Sequence, residues 1–176
     1  GIDDFGSINS TRGADYGDYI LRSVAGCMKE CLSGSQRIYH LVADQYVIVD
    51  LEASSKEDML RLKKRITDKL YEFIVAEEYE AVFSISVGVI AAATFYEGVE
   101  ECRRKFEFVL KQAKSMGKNG FYFFDENDYE AFQRKGRIIA ALRNAVVNGC
   151  KGFEMYYQPI VDCRSKKIIG AEALMR

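Results

Sequence analysis

Apolar residues recur at helical spacing in GDYILRSVAGCMKECL, where Ile20, Leu21, Val24, Ala25, Met28 and Leu32 share one stripe and GSQ closes the run. The pattern then changes. IYHLVADQYVIVD, residues 38–50, holds two short β-prone runs around the tip VADQ, a hairpin whose tight turn carries an acid but no glycine. Ser54 with Glu57 forms a capping box ahead of a helix with Met59, Leu62, Ile66, Leu70 and Phe73 as its stripe, and RLKKR as its solvated face. AVFSISVGVIAA alternates at period two, with Phe83, Ile85, Val87 and Val89 on one side and Ser84, Ser86 and Gly88 on the other. That predicts a strand buried on one face and open on the other. A further helix runs from about Val99 to Met116, with Val99, Cys102, Phe106, Val109, Leu110 and Ala113 inward and Gly117 as its left-handed cap. FYFF is another strand.

Helices and strands alternating in this way, with one antiparallel hairpin inserted, predict an α/β (α+β) fold. Its central sheet should be of the ferredoxin-like or split βαβ kind, flanked by helices. The pattern shifts near Glu126. A helix over 127–148 should turn Phe132, Ile138, Leu142, Ala145 and Val146 inward before NGCKG ends it. FEMYYQPIVD, the turn CRSKK and IIGAEALMR then form a hairpin. Two strands alone are marginal, so they read as the opening of a second domain. The expected organisation is a domain over 1–125, a linker helix over 126–152 and a truncated second domain over 153–176.

Composition narrows the classes. With 48% apolar and 12% aromatic residues in 176, the chain can fill a core. Its 25 basic and 26 acidic side chains leave a net charge of -1, without the broad basic footprint of a nucleic-acid binder. An anionic ligand would have to be held locally. VFSISVGVIAAATF is too short to cross a bilayer and no secretory signal opens the chain, so the expectation is a cytoplasmic stretch without membrane contact. Five cysteines, with Cys27 and Cys31 four apart on a helix, have no zinc-site spacing and read as reduced thiols. His40, the single histidine, reads as a packing or surface residue.

Candidate chemistry is local. SMGKNG lacks the earlier glycine of a P-loop, because Gln112 stands there. IDDFGSIN sets Asp3 and Asp4 beside Phe5, Gly6 and Ser7, and such a strand end can offer backbone N–H groups and a metal ligand to a phosphate. The same acids also suit a solvated turn. Taken alone, Asn9 and Asp18 fit turn and N-cap chemistry, with Asp18 capping a helix at Tyr19.

The order IDDFGSIN, GADYGD, a hairpin tip with Asp44, SISVG and AKSMGKNG resembles the GGDEF domain of diguanylate cyclases, from Ile2 to about Phe124. YYQPIVD followed by GAEALMR, within Glu154 to Arg176, resembles the first strands of the EAL phosphodiesterase domain. The resemblance implies a bacterial GGDEF and EAL tandem protein in cyclic di-GMP signalling. On the family's Gly-Gly-Asp/Glu-Glu-Phe tip, Val42 and Ala43 replace both glycines, Asp44 keeps the acid, Gln45 replaces the glutamate and Tyr46 the phenylalanine. A β-branched valine there should remodel the tip or block the ligand.

In the family's reaction each of two antiparallel protomers holds GTP with Mg²⁺ or Mn²⁺, and each 3′-hydroxyl attacks the other's α-phosphate. The resemblance puts the metal ligands on Gly1, the carbonyl of Ile2 and Asp44, of which Asp44 alone brings a carboxylate. It makes Asn9 and Asp18 the guanine-reading pair, Lys114 a phosphate contact, Lys118 a stand-in for the usual arginine, and Phe5, Gly6 and Ser7 an amide cradle. The product-inhibition motif falls on SGSQ, Ser33 to Gln36, where neither charge is present. Glu172 matches the metal-binding glutamate of the EAL domain and Arg176 a phosphate contact, yet so little of that domain is present that no hydrolysis is expected. The family's first strand has no counterpart here, so preceding residues or a neighbour are expected to fill its place.

The implied function is a degenerate GGDEF domain that binds GTP without cyclising it and regulates an attached EAL domain, with a homodimer as a further partner. Two readings stand beside it. One is a structural or dimerising module with a closed pocket, favoured by Val42 and Ala43; the other is a weakly active cyclase. Losing one preorganised electrostatic contributor typically costs about 10²–10³ in rate.

Overall fold

The structure is a computed structural model and describes residues 1–52, 55–78, 80–91 and 98–176. It divides into two units, Gly1–Asp125 and Glu126–Arg176. The first contains α1 (Phe5–Arg12), α2 (Ala14–Glu30), β1 (Arg37–Val42), β2 (Gln45–Val49), α3 (Lys56–Ala76), β3 (Val87–Val89), α4 (Val99–Ser115) and β4 (Phe121–Phe123). The second contains α5 (Glu126–Val147), β5 (Met155–Val161) and β6 (Ile168–Met175).

The fold class is mixed α/β, as the pattern predicts. Among the described residues the strands form three two-stranded ladders: β1–β2 antiparallel, β3–β4 parallel and β5–β6 antiparallel. Residues 1–3 connect the first two. Ile2 bridges Ile85 in antiparallel sense, while its N–H donates to the Asp44 carbonyl at 3.2 Å. Asp3 N–H donates to Ser84 O at 2.8 Å, and Ser86 N–H to Gly1 O at 2.9 Å. An apolar cleft of about 700 Å³ continues between β2 and β3, lined by Val47, Val49, Val87 and Val89 among others.

The core forms where α2 and α3 turn their stripes to this layer. Ile2, Ile20, Val24, Met28, Leu62, Ile66, Leu70 and Ile85 make one buried cluster, with Phe5, Tyr46 and Phe73 packed against it. Each fully buried aliphatic side chain contributes about 1.5–3 kcal/mol relative to exposure. Ser54 lies outside the described residues, and the capping box of α3 falls one residue later than expected: Asp58 N–H donates to Ser55 Oγ, and Ser55 N–H to Asp58 Oδ2, both at 3.1 Å.

Several expectations are corrected. Phe5, Gly6 and Ser7, expected as a turn, form the first turn of α1 behind Asp4, which takes φ 54°. Gly13, at φ 88°, separates α1 from α2, so α2 begins at Ala14 rather than Gly17. Asp18 therefore lies inside α2 and cannot cap it. The regular part of the SISVG strand is confined to Val87–Val89, and its polar side is not open to water: Ser86 is fully buried. The serine hydroxyls face a carboxylate, and Gly88 lies under α4, where a Cβ would stand 2.5 Å from Val109 Cγ2. In α4, Val99 is 83% exposed, and Phe108 and Lys105 take the buried places instead. Phe108 packs edge-on with Tyr122 and Phe124 at centroid distances of 5.9 and 6.2 Å, contacts that a residue in the first turn does not make.

In the second unit the β5–β6 hairpin forms as expected, with Met155 opposite Met175 and an irregularity between Ile160 and Val161. The inward stripe expected for α5 is exposed at Phe132, Ile138, Leu142 and Val146. One helix and two strands offer too little apolar surface to enclose it. Among the described residues no helix is long and apolar enough to cross a membrane.

Candidate functional site

The hairpin tip is built by a register shift. His40 pairs with Tyr46 and Val42 with Gln45, leaving Ala43 and Asp44 as the turn. Ala43 takes the left-handed conformation at φ 50°, which costs a residue with a Cβ about 1 kcal/mol or more. Val42 stays in the ladder and is 61% exposed, so the strain of the replaced glycines is carried by Ala43. The Nε2–H of His40 donates to the Ala43 carbonyl at 2.8 Å, and its ring lies 4.9 Å from that of Tyr46. The Tyr46 hydroxyl donates to Leu21 O at 2.8 Å, a tie from hairpin to α2 that a phenylalanine could not make.

This tip brings Asp44 to the end of α4. Lys114 Nζ donates to Asp44 Oδ2 at 3.0 Å and to Ile2 O at 3.1 Å. The two side chains are 37% and 17% exposed, so the pair is half-buried. Three residues expected in the site thus meet around one ammonium.

Beside it, Asp3 is caged. Its carboxylate accepts from Ser84 Oγ at 2.6 Å, Ser86 Oγ at 2.7 Å and Asn119 N–H at 2.9 Å, and Ser86 Oγ accepts in turn from Gly120 N–H at 3.2 Å. Burial pushes the Asp3 carboxyl up, but the hydrogen bonds from Ser84, Asn119 and Ser86 outweigh it and hold it below the usual carboxylate value. Sequence reasoning gave Asp3 no such role. The available signal was the alternation of small hydroxyl residues in SIS, whose register with Asp3 only the fold supplies.

Asp4 pairs with Lys118 at 2.6 Å on the surface, and this hydrogen bond raises the Lys118 ammonium above its ordinary value. A cleft of about 490 Å³ lies here, lined by Asp3, Asp4, Ser7, Thr11, Arg12, Lys118 and Asn119 among others. On its far side Arg12 is held by Glu80 at 3.1 Å. Asn9 packs against Gly17: a Cβ on Gly17 would stand 1.8 Å from Asn9 Oδ1. That oxygen is buried without a hydrogen-bond partner, while Asp18, next in the chain, is exposed. The structure therefore sets Asn9 beside the neighbour of Asp18. Glu172 and Arg176 belong to the second unit, Glu172 opposite Gln158 and Arg176 exchanging two 2.9 Å backbone hydrogen bonds with Glu154.

The expected Mg²⁺ or Mn²⁺ can be tested against these donors. Divalent cations take oxygens at about 2.0–2.6 Å and favour several carboxylates or phosphates. Here Ile2 O and Asp44 Oδ2 already share the Lys114 ammonium, and Gly1 supplies no side chain. A Cβ at position 1 would lie 3.1 Å from Leu110 Cδ2 and 3.3 Å from Lys114 Cε. Asp3 is already engaged by three donors of its own. Among the described residues no group of three or more His, Cys, Asp or Glu side chains could hold a metal ion. As arranged, these residues do not fit a divalent-cation site.

Comparisons with known proteins point one way. Residues 1–120 match the family described as "Diguanylate cyclase, GGDEF domain". The chain is 25% identical over 179 residues to the bifunctional diguanylate cyclase/cyclic di-GMP phosphodiesterase MucR of Pseudomonas aeruginosa, covering 99% of this chain and 25% of that protein. It is 27% identical over 176 residues to the cyclic di-GMP phosphodiesterase NbdA of the same organism, covering 99% and 22%. The chain spans about a quarter of the length of these relatives. An EAL/GGDEF domain protein from M. capsulatus superposes with a TM-score of 0.59 at 26% identity, over 70% of this chain and 80% of that one. The S helix-GGDEF-EAL portion of Vibrio cholerae LapD covers 97% of this chain and 39% of its own, with a TM-score of 0.51 at 15% identity, a likeness of fold alone. With the family match covering the whole hairpin-tip site, the chain belongs to the GGDEF domain family.

Proposed function

We propose that this chain is the GGDEF domain of a bacterial, cytoplasmic GGDEF and EAL tandem protein in cyclic di-GMP signalling, and that it binds GTP to regulate the EAL domain rather than to make cyclic di-GMP. The observation that carries this reading is the Asp44–Lys114 pair. The one carboxylate left at the hairpin tip is engaged by an ammonium at 3.0 Å, and Gln45 beside it brings no charge. Guanine recognition is better provided for. Asn9 Oδ1 is buried without a partner against Gly17, and the exposed Asp18 carboxylate can accept from a purine edge. The relatives MucR and NbdA are named for cyclic di-GMP synthesis and hydrolysis, and the β5–β6 hairpin carries the EALMR stretch with Glu172 and Arg176, which supports an EAL partner in the same chain.

The test is EAL turnover of the tandem protein with and without GTP. A GTP response that Asp18→Ala abolishes supports the reading. A response unchanged in that variant rejects Asp18 as base reader, and cyclic di-GMP made from GTP above a no-enzyme control rejects the loss of cyclase activity. A purely structural module is the second reading. It is favoured by the pairing of both expected phosphate lysines with acids, Lys114 with Asp44 and Lys118 with Asp4, and it predicts no GTP response at all.

A further inference from the structure

Lys114 stands in the last turn of α4, and its stem runs alongside Gly1, where a side chain of any size would meet its Cε. That glycine leaves the path by which the ammonium reaches Ile2 and Asp44. Two of its three N–H groups are then used on oxygens from segments 112 and 70 residues away in sequence. Ile2 and Asp44 are joined to each other as well, through Ile2 N–H and the Asp44 carbonyl. The ammonium closes a ring of three hydrogen bonds that fixes the hairpin tip, the Ile2 segment and the end of α4.

We propose that Lys114 is a resident cation: its Nζ substitutes for a divalent ion between the Ile2 carbonyl and the Asp44 carboxylate, and makes this site indifferent to Mg²⁺ and Mn²⁺. The inference rests on the GGDEF reading of the site but not on nucleotide binding. Charge and distance both argue for it. The Asp44 carboxylate is already paired with the ammonium, and a second cation would arrive within a few ångströms of that like charge. The 3.0 and 3.1 Å spacings are those of an N–H donor, longer than the oxygen distances of a divalent ion. The other acid close by, Asp3, is occupied by Ser84, Ser86 and Asn119 and offers no replacement ligand.

The experiment is a titration of the whole chain with Mn²⁺ alone, read by the electron paramagnetic resonance of the free ion, which is lost on binding. The wild type should leave the signal at its buffer value and its melting temperature unmoved. Lys114→Met, shown folded by circular dichroism, should lower the free Mn²⁺ signal at concentrations where the wild type leaves it unchanged, because removing a neighbouring like charge favours the cation. Adding Asp44→Asn to that variant should restore the signal. Lys114→Gln serves in its place if the methionine variant does not fold. Mn²⁺ binding by the wild type overturns the proposal, and so does a folded variant lacking Lys114 that still fails to bind. Neither result depends on whether GTP binds.

Discussion

Asp3 and Asp44 are both acids at the mouth of the same site, and they are held in opposite ways. Asp3 is buried and receives two hydroxyls and a backbone amide, from the segment 84–86 ahead of β3 and the turn before β4. Asp44 sits on a two-residue turn and is held by one long, flexible side chain. The first arrangement cannot be opened without leaving buried donors unpaired, whereas the second can be broken by rotation of the one side chain that holds it. The difference separates an acid that builds the site from one that can respond within it.

Truncating each acid should show that contrast most strongly. Asp3→Ala leaves the buried Ser86 hydroxyl and the Asn119 N–H without their acceptor and should cost about 2–5 kcal/mol in urea unfolding. Acid should act through the same carboxyl. Because the folded state keeps Asp3 ionised below the pH at which the unfolded chain protonates, its contribution is full above about pH 4 and is lost as the pH falls through the lower, folded value. Combining Ser84→Ala with Ser86→Ala should bring that loss to higher pH, seen as an earlier drop in urea midpoint on acidification. Asp44→Ala should cost about 1 kcal/mol or less, since its ion pair is partly exposed. An equal loss from both acids would erase the distinction. Smallest of all, Ala43→Gly should gain up to about 1 kcal/mol by relieving the left-handed turn, offset by the greater freedom of glycine when unfolded.

The local half of this picture was legible in the sequence. Helical stripes located Ile20, Val24, Leu62, Ile66 and Leu70 in the core, and VADQ marked the hairpin tip because two β-prone runs flank it. What escaped was long-range. Ser84 and Ser86 looked like a solvated face because a period-two pattern reports polarity, not what the polar atoms meet, and their partner lies more than 80 residues earlier. Lys114 was legible as a cation, but the oxygens it reaches, on Ile2 and Asp44, lie 112 and 70 residues away in sequence. The start of α1 was hidden because FGSINSTR has little amphipathic pattern, and its left-handed entry at Asp4 is a property of the backbone. The stripe of α5 was correctly seen as apolar, and within this stretch Phe132, Ile138, Leu142 and Val146 are exposed.

The central claim is that the site keeps its guanine-reading side while Lys114 replaces metal at its phosphate side. It is tested most directly by calorimetric titration of GTP into the chain with and without Mg²⁺. The account predicts binding whose affinity is unchanged by Mg²⁺ and is lost in Asp18→Ala. Binding that requires Mg²⁺, or no heat at any GTP concentration up to saturation of the titrant, would contradict it.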